Sequence, residues 1–275
     1  MKSILFFILS AFLLNPYAIA KETMCYAESP TLINLNCDRK STWSLGLGVE
    51  MEYGFKADGS KEKEFEIEPG AIFHLNIGDW NQFFFNGQEA GVRTFPNRWV
   101  NLMLGARLEP GREEAADPVL LKGQGDSDDK VMGRTEFRIN LYKDWRLWTG
   151  VSSLLGDSDI GYLHIFFIGY SFKDIGPLDI DLLVYQRYGS SAFINKDFGV
   201  DAKQRANSGN ALYSADSGTQ SSGASVTARY NVTSSVTFLF EAEYDKYASR
   251  LSASPIIQKG RNDEYEIGAT VLYVF

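Results

Sequence analysis

The last eleven residues, Tyr265-Glu-Ile-Gly-Ala-Thr-Val-Leu-Tyr-Val-Phe275, constrain this chain more than any other stretch. Tyr265, Ile267, Ala269, Val271 and Tyr273 fall on one face, and Glu266, Gly268 and Thr270 on the other, with Leu272 and Val274 softening the second face near the end. A period of two means a strand with one apolar and one mixed face. A strand that closes on an aromatic residue has the form of the signal read by the barrel-assembly machinery of Gram-negative outer membranes, and Tyr273 and Phe275 are its expected carriers. Deleting Phe275 is therefore expected to leave the chain in the periplasm for proteolysis, read as loss of the heat-modifiable band from outer-membrane fractions.

The opposite end agrees. Met1-Lys-Ser is a short positive start, Ile4 to Leu14 is an apolar run broken only by Ser10, and Ala18-Ile19-Ala20 offers a small-residue cleavage site. This is the pattern of a secretory signal peptide over residues 1–20, and the run is too short to span a bilayer. Residues 21–42 are polar and irregular and read as a periplasmic N-terminal segment. Their two cysteines, Cys25 and Cys37, form an even pair that in an exported protein reads as a disulfide closing a short loop.

Residues 43–275 read as one barrel domain. Trp43, Leu45, Leu47, Val49, Met51, Tyr53 and Phe55 alternate with Ser44, Gly46, Gly48, Glu50 and Glu52. Further alternating segments are expected at 64–76, 81–95, 98–108, 131–143, 145–155, 160–172, 177–187, 192–203, 221–231, 234–246 and 264–275. Pro69 interrupts the second, and a closed barrel has no free edge to absorb a lost donor, so a bulge is expected there, or pairing only from Gly70 onward. Residues 231–235 read as a tight periplasmic turn and 246–263 as a long exterior loop. Strict parity puts the long segment 109–130 on the periplasmic side, where long loops are unusual. The expectation is an all-β, transmembrane, antiparallel up-and-down β-barrel of about 12 strands, within a range of about 10–14.

Alternation alone does not separate this from a soluble barrel with an apolar interior. The apolar faces carry Trp43, Tyr53, Trp145, Tyr230, Tyr244 and Tyr273 at strand ends, as an interfacial girdle requires. A soluble barrel of this strand number would also enclose more volume than side chains fill readily. The formal charge of −8 excludes nucleic acid as a partner and leaves outer-membrane lipid and lipopolysaccharide as the surroundings.

The lumen-facing set is then Glu50, Glu52, Glu64, Glu66, His74, Arg107, Arg134, Glu136, Arg138, Arg146, Asp179, Asp181, Arg187, Arg229, Glu241 and Glu243. Both signs facing inward could line a narrow polar pore or cross-link into ion-pair networks that plug it. His74 reads as a lumen histidine in a polar network, and the direction of His164 stays open. No G-x-S-x-G motif occurs, no serine lies two residues from either histidine, and the carboxylates spread over many strands. Asp126-Ser-Asp-Asp129 lacks the spacing of a calcium loop and reads as a solvated acidic turn. The expectation is no enzyme, no cofactor and no metal.

Several stretches resemble the MipA/OmpV family of outer-membrane proteins: Ser44-Leu-Gly-Leu-Gly-Val49, Gly133-Arg134, Phe198-Gly-Val200, Ala253-Ser-Pro-Ile256 and Tyr273-Val-Phe275. The first strand departs from the family pattern, reading Val49-Glu-Met-Glu-Tyr53 without the proline common there. The resemblance implies a monomeric barrel without catalytic activity. It also implies a scaffold for murein synthesis that links a lytic transglycosylase to a penicillin-binding protein; a small pore, ligand-binding or adhesion barrel is the alternative.

Overall fold

The computed structural model describes residues 43–78, 80–97, 99–141, 147–175, 177–233 and 235–275. Twelve antiparallel strands close into a barrel in meander order, each pairing with its sequence neighbours and the last with the first. They are β1 (Trp43–Phe55), β2 (Lys63–Ile77), β3 (Asn81–Phe85), β4 (Glu89–Asn97), β5 (Val100–Glu109), β6 (Lys130–Asn140), β7 (Leu147–Leu155), β8 (Tyr162–Ile175), β9 (Leu178–Gly189), β10 (Gly218–Asn231), β11 (Val236–Tyr247) and β12 (Asp263–Val274). Closure matters because a backbone in hydrocarbon must satisfy its own hydrogen bonds. No helix among the described residues is long and apolar enough to cross a membrane, so any crossing is by strands.

The seam runs between β1 and β12, with Leu47 opposite Tyr273 and Tyr53 opposite Ile267, and the Phe275 amide donates to the Leu45 carbonyl at 2.9 Å. Tyr273 and Phe275 pack edge to face on the outer wall. Leu272, which spoils the sequence alternation, turns inward and packs with Leu239 and Ile72. The outer face carries exposed Leu47, Val49, Phe65, Ile67, Leu104, Phe166, Ile168, Val184, Phe238 and Phe240. Trp43, Trp99, Tyr170, Tyr230 and Tyr273 ring the end that holds β1's start, and Tyr53, Tyr188 and Tyr244 the other. This is the lipid band with its two girdles. Trp145, expected in that girdle, lies outside the described residues, as do Arg146, Cys25, Cys37 and segments 1–20 and 21–42.

The strand count conceals two cancelling differences from the sequence expectation. The segment 81–95 is two strands, folded back at Asn86-Gly87-Gln88, where Gly87 takes φ 85° and the Glu89 amide donates to Asn86 Oδ1 at 2.9 Å. An Asn-Gly turn is a hairpin signal, and here it prevails over the long apolar run around it. The segment 192–203 is no strand: helix α1 (Ser191–Phe198) and the start of α2 (Ala202–Ser208) occupy it. Ser190 caps α1, accepting from the Phe193 amide, and Asp201 and Gln204 form a reciprocal capping box on α2.

The extra hairpin also settles parity. Loop 110–129 joins β5 to β6 at the end opposite the β1/β12 termini, with the β1–β2, β9–β10 and β11–β12 connections. These four connections share one core. Leu120 and Leu121, Ile194 and Phe198 of α1, Ala215, Tyr247, Leu251, and Ile256 and Ile257 of α3 (Pro255–Lys259) are all buried in it, with Ala57 packed alongside. Each fully buried large side chain contributes roughly 1.5–3 kcal/mol, so this end is a folded cap rather than loose loops. Asp126 and Asp129 brace it by accepting the Glu114 and Gly111 amides.

Pro69 causes no bulge: β1 and β2 stay in register across it, with Val49 opposite Pro69. The reason lies in the direction of its missing donor. The bond from Phe275 to Leu45 fixes the odd residues of β1 as pointing toward β12, so Val49 and Pro69 form a non-hydrogen-bonded pair. Pro69 therefore faces away from β1, where β2 pairs with β3 only from Phe73 to Ile77. The barrel has a local free edge after all, and the proline sits on it.

Candidate functional site: the lumen and its cap

Strand alternation places Glu50, Glu52, Glu64, Glu66, His74, Arg107, Arg134, Glu136, Arg138, Arg187, Arg229, Glu241 and Glu243 on one side of the wall. They form two assemblies rather than one polar lining. The first fills the middle of the lumen. Arg134 bonds Glu89 of β4 at 2.5 Å and Glu136 at 3.4 Å, while Arg138 reaches the other oxygen of Glu136 at 3.2 Å. Arg138 also lies 4.4 Å from the Trp148 ring centroid and 6.0 Å from that of Phe167, and Arg93 lies 5.3 Å over Phe84. Arg93 and Arg138 are each only 1% exposed. A guanidinium reaching into a water-filled channel would be wet, so at this level the lumen is packed with side chains.

Higher up, Arg187 of β9 pairs with Glu243 at 2.6 Å and Asp245 at 3.0 Å on β11, and the Tyr185 hydroxyl bonds both carboxylates at 2.7 Å. The alternation Tyr185–Arg187 and Glu243–Asp245 on two strands flanking β10 builds a charged lattice braced by hydrogen bonds. Such lattices rigidify when complete, and removing one member strands the others in low dielectric.

The second assembly is a carboxylate wall. Strand register sets Glu50 opposite Glu68, Glu52 opposite Glu66, and Glu243 opposite Glu266. In sequence these acids are dispersed; pairing of β11, β12, β1 and β2 gathers them. Glu50, Glu52, Glu66, Glu68 and Glu266 border a lumenal cavity of about 490 Å³ whose other sides include Arg107, Arg134 and the β3–β4 turn.

The sequence reading missed Arg93, Glu89, Asn101, Tyr185 and Trp148. Arg93 and Glu89 fell in the segment taken as one strand. Trp148 and Tyr185 are lumenal aromatics, hidden by the assumption that the inner face is polar. His74 is fully buried inside. His164 faces outward, its ring 4.7 Å from that of Tyr162, and its Nδ1 lies 2.8 Å from Ser153 Oγ on the neighbouring strand. Eleven residues separate that pair in sequence, and the β7–β8 register makes it. Among the described residues no group of three or more His, Cys, Asp or Glu is placed to hold a metal ion.

Two partly buried carboxyls lie in the cap. Asp197 of α1 is pushed up to about 7, first by desolvation and then by the charge of Asp58 in the β1–β2 turn, against the opposing pull of Lys196 and Arg112. Asp58 is raised too, again mainly by desolvation. A folded-state pKa above the unfolded value means the folded cap holds the proton more tightly. Its stabilising effect is complete below about pH 4 and is lost as pH rises through about 7. Protease protection of the cap is thus expected to be greater at mildly acidic than at mildly alkaline pH, and Asp197→Asn is expected to flatten that dependence and protect the cap when alkaline.

Solved structures similar to the chain are outer-membrane proteins at low identity. The chain is similar to the CymD monoaromatic hydrocarbon channel (9% identity, TM-score 0.47, covering 94% of this chain and 98% of that one). It is similar also to the NanC porin (9% identity, TM-score 0.43, covering 82% and 98%) and to OprB of Pseudomonas putida (8% identity, TM-score 0.43, covering 85% and 94%). No curated protein sequence matches the chain. Residues 38–275 match the family model described as MltA-interacting protein MipA, which spans every strand of the barrel. The chain is an outer-membrane β-barrel protein and belongs to the MipA family.

Proposed function

We propose that this protein is a non-conducting, non-enzymatic barrel that acts as a scaffold for murein-remodelling enzymes at the periplasmic face. The observation that carries the reading is the packed lumen: arginines 1% exposed, held by Glu136, Trp148 and Phe84, are suited to stability and not to permeation. The family's description as an MltA-interacting protein supports a lytic transglycosylase as the partner class, and the family resemblance adds a penicillin-binding protein as the second candidate. In this reading residues 1–20 direct export, Cys25 and Cys37 pair in the periplasmic segment, and Tyr273 with Phe275 serves as the assembly signal. Affinity capture of the full chain from detergent extracts is expected to retain a lytic transglycosylase; repeated captures retaining no murein enzyme would count against the scaffold. The pore alternative draws support from the cavity above the packed layer, and planar-bilayer recording decides it.

A further inference from the structure

The barrel wall is incomplete on one side. β3 spans only five residues, so the β3–β4 turn at Asn86–Gln88 stops short of the top of β2, while on its other side the Gln88 carbonyl accepts from the Leu108 amide near the top of β5. β2 runs on for ten residues beyond Phe73, from Ile72 to Lys63, and among the described residues no strand pairs with its outer edge there. The part of β2 above Phe73 therefore stands clear of the turn, and a notch opens between β2 and Asn86–Gln88. Its outer rim carries Phe65 and Ile67, 59% and 62% exposed, so the notch borders the lipid band.

An unpaired edge invites strand addition, and this one is blunted against it. Pro69 offers no donor on that side, as its pairing with Val49 requires. Gly70 beside it points inward, and a Cβ built there meets nothing within 4 Å. The notch is therefore a standing opening rather than a site for another strand. Behind it lies the 490 Å³ cavity, within the size range of small-molecule sites.

The lining sets the ligand class. Seven carboxylates border the cavity against two guanidiniums, and Arg134 is already committed to Glu89 and Glu136. Glu66 and Glu68 stand at the mouth. Glu89, 4% exposed and lining the floor, uses one oxygen for Arg134, while its Oε1 is buried without a hydrogen-bond partner. Such an acceptor favours a donor from a ligand. The packed arginine layer closes the route below, so a molecule entering here leaves by the notch or remains.

We propose that the notch and cavity form a lateral binding site for an amphiphile with an amine head: the head sits among Glu50, Glu66, Glu68 and Glu89, and the hydrocarbon tail leaves past Phe65 and Ile67 into the outer leaflet. This site is independent of the scaffold reading and uses a different face of the barrel.

A photoactivatable diazirine analogue of tetradecylamine tests it, applied to the full chain in phosphatidylcholine nanodiscs with cross-linked peptides mapped by mass spectrometry. Labelling is expected to concentrate on residues 65–72 and 86–88. It should fall about tenfold in Glu66→Gln/Glu68→Gln, which removes charge at the mouth, and in Gly70→Trp, which fills it. Gly70 has open space around it, so the second variant is expected to keep the heat-modifiable mobility of a folded barrel. Tetradecanoate should not compete, and spermidine should compete only weakly. Labelling spread evenly around the barrel, or unchanged in both folded variants, would overturn the proposal. Equal competition by tetradecanoate would overturn the charge assignment, and equal competition by spermidine would overturn the amphiphile class.

Discussion

Glu136→Leu is expected to cost about 3–5 kcal/mol of folding free energy, measured as a lowered midpoint of urea unfolding in lipid vesicles. Glu136 is nearly fully buried and accepts from both Arg134 and Arg138, and Arg93 lies close enough to feel its charge. Its loss removes the carboxylate that Arg134 and Arg138 share, and Arg138 stays buried over Trp148. Arg134 keeps Glu89, so Arg138→Met, which leaves Glu136 paired with Arg134, is expected to cost less. Equal, small losses in both variants would mean that water already fills this layer.

Phe198→Ala is expected to open the cap. Phe198 is fully buried, packs edge to face on Tyr247 with ring centroids 4.9 Å apart, and lends its carbonyl to the Ser254 hydroxyl at 2.7 Å. Truncating a buried phenylalanine costs about 3–5 kcal/mol, and here the loss falls on one local unit that joins α1, β11 and α3. The expected readout on intact cells is rapid cleavage within 110–129 and 199–217 by external protease, with the barrel left folded. Wild-type protection in this variant would show that the four connections do not depend on a shared core.

Much of this was legible because barrel physics acts on single residues. Wherever inward and outward positions alternate, as in β1 or in β6 from Arg134 to Asn140, the sequence states the face directly. It failed where a local signal competed with a longer pattern. Asn86-Gly87 was masked by the apolar run Phe83-Phe84-Phe85 before it, and Ser190 and the Asp201–Gln204 box were masked by the apolar residues of α1, which pack on the cap core rather than on lipid. The site was harder still. Glu50 and Glu68, or Arg134 and Glu89, meet through register and closure, which no single strand displays. Trp148 under Arg138 breaks the polar-lumen rule outright, because a packed lumen needs aromatic volume that a pore does not. Pro69 was expected to break the pairing, but β1 and β2 pass it in register because its missing donor faces the edge left open by the short β3, a non-local feature.

The central claim is that side chains fill this lumen, and planar-bilayer recording tests it most directly. Wild-type protein inserted at saturating density is expected to give no sustained ohmic steps, and the combined Arg93→Ala/Arg138→Ala/Trp148→Ala variant is expected to give them once it folds. Steady wild-type conductance equal to that of the variant would contradict the account.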